Sequence, residues 1–93
     1  MVNDYPKRNS SDPVEELINK AVSAARTGDY SSASRHLNLL LQELEPNLSR
    51  MSPGTLHDIG YSMETLFAMQ KMKNWVALAD ILEFEILPIW RNR

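Results

Sequence analysis

The side chains that could carry out metal or acid–base chemistry are few and scattered along the chain. There are two histidines, His36 and His57, and no cysteine. Asp58 directly follows His57, but adjacent residues on a helix point about 100° apart, so this pair is poorly placed to share a metal ion. The lack of cysteine excludes a thiolate zinc site, a disulfide framework and a cysteine nucleophile. We therefore expect no metal site and no cofactor.

The serines and carboxylates also lack the surroundings that catalysis requires. No serine stands in a Gly-x-Ser-x-Gly turn, and the three glycines form no phosphate-binding cluster. Asp80, Glu83 and Glu85 lie close together in the sequence, but paired carboxylates act as acid and base only when one of them is desolvated. A solvated position explains them more simply, so the sequence predicts that the protein is not an enzyme.

Composition limits the partners that the protein can attract. Its 93 residues carry a formal net charge of −2. The composition, with 43% hydrophobic and 24% charged residues, is typical of an ordinary globular protein. A slightly acidic chain has no broad attraction for nucleic acid or anionic membrane. The pair Arg35 and His36 is a small basic feature, which leaves a helix-turn-helix nucleic-acid binder as the least favoured alternative. No apolar run approaches the roughly 18 residues of a membrane span, and the polar start has no secretory signal, so we expect a cytoplasmic protein.

Apolar residues repeat with the three- and four-residue spacing of amphipathic helices in four segments of the chain. No segment alternates for long enough to predict a strand. The polar residues 1–11 are expected to form a flexible arm, and residues 12–93 a single helical domain. Because short connections make consecutive helices antiparallel, the predicted fold is all-α, with four helices arranged as two antiparallel hairpins.

Capping residues and prolines set the predicted ends of the helices. Asp12 and Glu15 have the spacing of a capping box, and Pro13 suits the first helical position. Gly28 should end the first helix in the left-handed conformation. The second helix is predicted to run from the cap Asp29 to Pro46, and the third from the cap Ser52 to Lys71. The fourth helix should begin at the cap Asn74, and Pro88 should kink its last turn or end it early.

The two halves of the chain match when one is shifted by 45 residues. Asn74 then falls on Asp29, and Trp75 falls on Tyr30. A duplicated hairpin would explain the match, and so would the common periodicity of any two amphipathic hairpins.

The turn of the first half, Thr27-Gly28-Asp29-Tyr30-Ser31-Ser32-Ala33, resembles the middle of a tetratricopeptide repeat, where a Gly-Asp-Tyr-x-x-Ala turn joins two antiparallel helices. The resemblance covers residues 17–46. In the second half Lys73 stands in place of the glycine and Leu78 in place of the small Ala33, and the 45-residue spacing exceeds the usual ~34 residues. The resemblance implies peptide or protein binding and no catalytic residue. The hairpins would then form either a four-helix bundle or a tetratricopeptide-like unit.

The last helix is apolar on two sides, which makes it the predicted binding element. One face centres on Trp75, Leu82 and Ile86, and a second stripe faces the opposite way. A unit of this size does not readily enclose one of its own helices, so part of the second stripe should contact a partner. The alternative is that the first helix or the N-terminal arm covers it. The predicted partner-binding residues are Val76, Asp80, Ile81, Glu83, Phe84 and Leu87.

The sequence therefore predicts a non-enzymatic protein–protein interaction module that self-associates through its last helix as a homodimer, or holds a helical segment of a client. The alternative is a small client-specific chaperone or regulator of the export-chaperone type, which masks an amphipathic helix. Neither nucleic acid nor membrane is an expected partner.

Overall fold

Helices make up nearly all of the computed structural model, which describes residues 12–93. α1 spans Pro13–Arg26, α2 spans Tyr30–Leu48, and α3 spans Pro53–Lys71. The last helix consists of α4 (Trp75–Ile81), a π-helical turn (Leu82–Ile86) and α5 (Leu87–Arg91), with helical backbone throughout. The described residues contain no strand, so the prediction of an all-α fold is confirmed. The predicted flexible arm lies outside the described residues.

The helices pack in the order α2–α1–α4–α3, so α1 and the last helix occupy the middle of the molecule. α1 contacts α2 along its length and also contacts α4, while α3 contacts α4. The predicted hairpins are therefore α1 with α2 and α3 with α4, and they join through α1 and α4. α2 and α3 follow each other in the chain but make at most marginal contact.

A single apolar core joins the helices. Ala21 of α1 and Ala33 of α2 are fully buried, and small residues at a helix contact let the two backbones approach closely. Leu82 and Ile86 are also fully buried, as the main face of the last helix predicted. The other fully enclosed large side chains among the described residues are Val14, Ile18, Leu37, Leu40, Ile59, Leu66 and Leu78.

The start of α1 is bonded both to its own first turn and to the end of the chain. Asp12 Oδ1 accepts hydrogen bonds from the amides of Val14 (3.0 Å) and Glu15 (3.2 Å), which confirms the predicted cap. Asp12 Oδ2 accepts a third bond, 2.8 Å long, from the indole Nε1 of the buried Trp90. Glu15 Oε1 accepts two bonds from the Arg91 guanidinium, so this carboxylate also connects the first turn of α1 to the end of the chain. The prediction that Glu15 completes a capping box with the Asp12 amide stays a prediction.

The two hairpin turns have the same backbone geometry at the 45-residue shift. Gly28 has φ of 83° and Lys73 has φ of 59°, so both residues adopt the left-handed conformation that ends a helix. In each turn the next amide donates to the carbonyl five residues earlier, over 2.9 Å. Lysine therefore takes the conformation that glycine adopts in the first turn.

The helices that follow these turns begin in matching ways and meet at their first residues. The caps Asp29 and Asn74 each accept a bond from the amide three residues later, at 3.2 Å in both cases. The rings of Tyr30 and Trp75, which match at the same shift, stack on each other with centroids 4.8 Å apart. The predicted caps are confirmed.

Neither Pro46 nor Pro88 ends its helix, so that part of the prediction is wrong at both positions, while the predicted alternative of a kink at Pro88 stays a prediction. α2 does not end at Pro46 but continues to Leu48, because a proline in the last turn removes only one hydrogen bond. Pro88 does not end the last helix, which continues to Arg91. The helix widens into a π-helical turn just before Pro88, and this relieves the crowding between the proline ring and the carbonyl four residues earlier.

Candidate functional site

The predicted second stripe of the last helix is divided between core and surface. Ile81 is 6% exposed and Leu87 is 7% exposed, so the prediction that these two side chains contact a partner is wrong. The last helix packs against both α1 and α3 and is therefore covered on two sides within the chain. These two residues are therefore covered within the chain, and the more specific alternative, that the first helix or the N-terminal arm covers the stripe, stays a prediction.

The two carboxylates of the stripe bond to α1. The Arg26 guanidinium donates to Asp80 Oδ1 over 3.1 Å and to Glu83 Oε1 over 2.6 Å. These two bonds raise the pKa of Arg26 above its ordinary value, and the bond with Glu83 has the larger effect. Both carboxylates thus connect the end of α1 to the last helix.

Val76 and Phe84 are the two apolar members of the stripe that stay on the surface, at 71% and 65% exposed. Phe84 lines a shallow cleft of about 540 Å³ between α3 and the end of the last helix, together with Tyr61, which is 68% exposed. Ser62 lies on the floor of this cleft and donates a 3.2 Å hydrogen bond to Glu85 Oε1.

A second and more apolar concavity lies between α2 and α3, and we call it the α2/α3 groove. Its volume is about 440 Å³. Leu44, Ile59 and Met63 are buried and form its floor, while Leu56 and Phe67 are each 42% exposed. The residues that line the groove are Leu41, Gln42, Leu44, Glu45, Leu48, Leu56, Ile59, Gly60, Met63 and Phe67.

The packing order of the helices explains why this groove stays open. α2 packs on α1, α3 packs on α4, and the contact between α1 and α4 sets the distance between the two outer helices. The connection from Leu48 to Pro53 holds α2 and α3 together at one end only. Their facing apolar side chains therefore border a gap instead of interlocking.

Charge is sparse in the groove. Glu45 is the one charged residue among the described residues that line it. Glu64 follows the floor residue Met63 on α3 and is exposed, but it is not one of the lining residues. Lys71 stands one turn beyond Phe67, toward the far end of α3.

The two histidines considered for chemistry lie in different parts of the molecule. His57 and Asp58 line the shallow cleft, whereas His36 lies on α2 with its Nδ1 buried and without a hydrogen-bond partner among residues 12–93. Within residues 12–93 no three His, Cys, Asp or Glu side chains are grouped in a way that could hold a metal ion. None of the helices in this range has the length and apolar character needed to cross a membrane.

Comparison of the chain with protein-family models, with curated proteins and with solved structures found no match. The resemblance of residues 17–46 to a tetratricopeptide hairpin stays a prediction. The groove is therefore interpreted from its own geometry.

Sequence reasoning missed the groove because it assigned the facing residues of both helices to the core. Leu41 and Leu44 continue the apolar face of α2, and Leu56, Met63 and Phe67 continue that of α3. Spacing identifies an apolar face but not what covers it.

Proposed function

We propose that this chain is a non-enzymatic protein-interaction module that holds an apolar helical segment of another protein in the α2/α3 groove. The observation that carries the proposal is the open seam between two 19-residue helices, which follow each other in the chain and leave an apolar groove between them. An amphipathic helix laid into such a groove buries its own apolar face and completes the packing.

The dimensions and lining of the groove support a helical occupant. The lining residues of α3 run from Leu56 to Phe67, which is about 16 Å along the helix and corresponds to about three turns of a bound helix. These two end residues are each almost half exposed, so they are available to contact opposite ends of such a three-turn segment. The groove also suits the client-masking role that the sequence offered as an alternative. A cytoplasmic location, expected from the sequence, is part of the same proposal.

A matched pair of substitutions tests the proposal. Phe67→Gln removes an aromatic ring from the groove, and Phe84→Gln removes an exposed ring from the shallow cleft. Partners captured from the native source, or amphipathic helical peptides, should bind the Phe84→Gln protein normally and the Phe67→Gln protein at least about tenfold more weakly, since an aromatic anchor in an interface contributes 1–2 kcal/mol or more. Equal binding by the two variants would contradict a binding role for the groove.

Self-association through the surface around Phe84 is the second candidate function. Phe84 and Tyr61 are two exposed aromatic rings in one cleft, and aromatic residues are enriched at interfaces. The interface of this second candidate contains Val76 and Phe84 from the predicted stripe, together with Tyr61. It does not contain Ile81 and Leu87, because these two side chains are buried. The predicted homodimer belongs to this candidate.

A further inference from the structure

α3 carries a glycine at the groove that nothing within the described chain requires. Gly60 lies in the interior of α3, where glycine is less favourable than alanine by about 1 kcal/mol. Apart from its own helix and its chain neighbours, no described heavy atom lies within 4 Å of the position that a Cβ would occupy. Its φ is not in the left-handed region either.

The position of Gly60 gives this cost a physical reason. Gly60 is one of the residues that line the groove, between Leu56 and Met63. A glycine on a helix surface lets another backbone approach closely, as small residues do where helices cross. The missing side chain leaves space on the groove side of α3, where another molecule can lie, and not in the packed core of the chain.

The charges beside this point favour one class of occupant. Glu45 on α2 lines the groove, and the exposed Glu64 on α3 stands one turn after Gly60. A second copy of this chain meeting groove to groove would bring the same acidic residues toward each other, because a two-fold interface pairs identical surfaces. A helix with Lys or Arg beside its apolar stripe would instead meet opposite charge.

Building on the function proposed above, we propose that the α2/α3 groove binds a basic amphipathic helix of a different protein, which crosses α3 closely at Gly60 and places basic side chains near Glu45 and Glu64. The apolar stripe of the partner covers Leu56, Met63 and Phe67.

Two synthetic peptides and three variants test this proposal. The peptides are 18-residue helices with the same leucine stripe, flanked by lysine in one and by glutamate in the other. Binding to the full chain is measured by fluorescence anisotropy. The lysine peptide should bind about tenfold more tightly than the glutamate peptide. Its lysines form two exposed opposite-charge pairs with Glu45 and Glu64, where the glutamate peptide would form two like-charge pairs. Glu45→Gln with Glu64→Gln should remove most of this preference.

Substitution at Gly60 separates a binding role from a structural one. Gly60→Leu fills the place where the partner backbone would lie, so the lysine peptide should bind at least about tenfold more weakly. The thermal midpoint of the same variant should not fall, since the added side chain meets open space. Gly54→Ala, which also adds its Cβ in open space on α3 but lies outside the residues lining the groove, is the control and should bind like the original chain.

The outcomes distinguish the two proposals. If both peptides bind equally and Gly60→Leu weakens both, the groove binds helices and the basic partner is wrong. If Gly60→Leu leaves binding of the lysine peptide unchanged, the close crossing at Gly60 is wrong. If neither peptide binds at all, both this inference and the helix-binding function are overturned.

Discussion

At the residue scale, single side chains at the helix ends hold the hairpins in place. Asp12 bonds the first turn of α1 with one oxygen and Trp90 with the other. Asp29 and Asn74 cap the helices after the two turns in the same way. Because these bonds lie within a few residues of each other in all but one case, the residue types alone predicted most of them.

Lys73 stands in a backbone conformation that favours glycine. We expect Lys73→Gly to raise the free energy of unfolding by about 1 kcal/mol. The left-handed conformation costs a residue with a Cβ about 1–2 kcal/mol, and glycine avoids this cost. Part of the gain is cancelled because glycine gives the unfolded chain more conformational entropy. The matched change Gly28→Ala should lower it by about the same amount. Urea unfolding measures both. Destabilisation by Lys73→Gly would contradict the equivalence of the two turns.

Asp29 makes the stability of the chain depend on pH in the acid range. Hydrogen bonds from the Ser32 side chain and amide hold the pKa of the Asp29 carboxyl below its usual value of 3.8. A lowered pKa in the folded state means that the stabilisation is present above about pH 4 and is lost as pH falls through the folded-state pKa.

Asp29→Asn tests this linkage, with Asn74 as the natural example of an uncharged cap. Between pH 5 and about pH 2.5, the thermal midpoint of the variant should fall less than that of the original chain, since asparagine still caps and does not titrate. Parallel curves for the two proteins would assign the acid sensitivity to other carboxylates.

At the scale of helices, the packing order assigns each apolar face either to the core or to the groove. Leu37 on α2 is fully buried among the helices, whereas Leu56 on α3 is almost half exposed in the groove. Both leucines belong to apolar faces that the sequence pattern identifies equally well. Their energetic contributions should therefore differ although their sequence signal does not.

Truncation of these two leucines measures that difference. Leu37→Ala should lower the free energy of unfolding by about 2–5 kcal/mol, because it leaves a cavity in a packed core. Leu56→Ala should lower it by less than about 1 kcal/mol, since the groove already exposes the side chain. Chemical denaturation of the two variants provides the test, and a similar large loss for both would mean that the groove is closed in solution.

At the scale of the whole molecule, the middle position of the last helix determines which surfaces remain for partners. Ile81 and Leu87 are buried within the chain, and Arg26 bonds Asp80 and Glu83. Phe84 and the α2/α3 groove are left as two separate apolar surfaces. Self-association and client binding can therefore be tested independently of each other.

Light scattering over a concentration series tests the role of Phe84. If the surface around Phe84 forms a dimer, the original chain should keep twice the monomer mass on dilution, and Phe84→Glu should be a monomer with unchanged helicity. Helicity should persist because Phe84 is largely exposed. A monomeric original chain excludes the homodimer and leaves the groove as the interaction surface, whereas unfolding of Phe84→Glu would show that this ring belongs to the core.

Local features of the sequence were sufficient to determine the helices, their caps and the two hairpin turns. Asp12, Gly28, Asp29 and Asn74 each act on backbone groups within about five residues, so the ends of the helices do not depend on the rest of the chain, whereas the bond from Trp90 to Asp12 does. The sequence also showed correctly that the last helix must be covered on two sides. Only the tertiary structure decided that α1 and α3 provide this cover and that α2 and α3 stay apart, because burial of an apolar face depends on which distant helix packs against it.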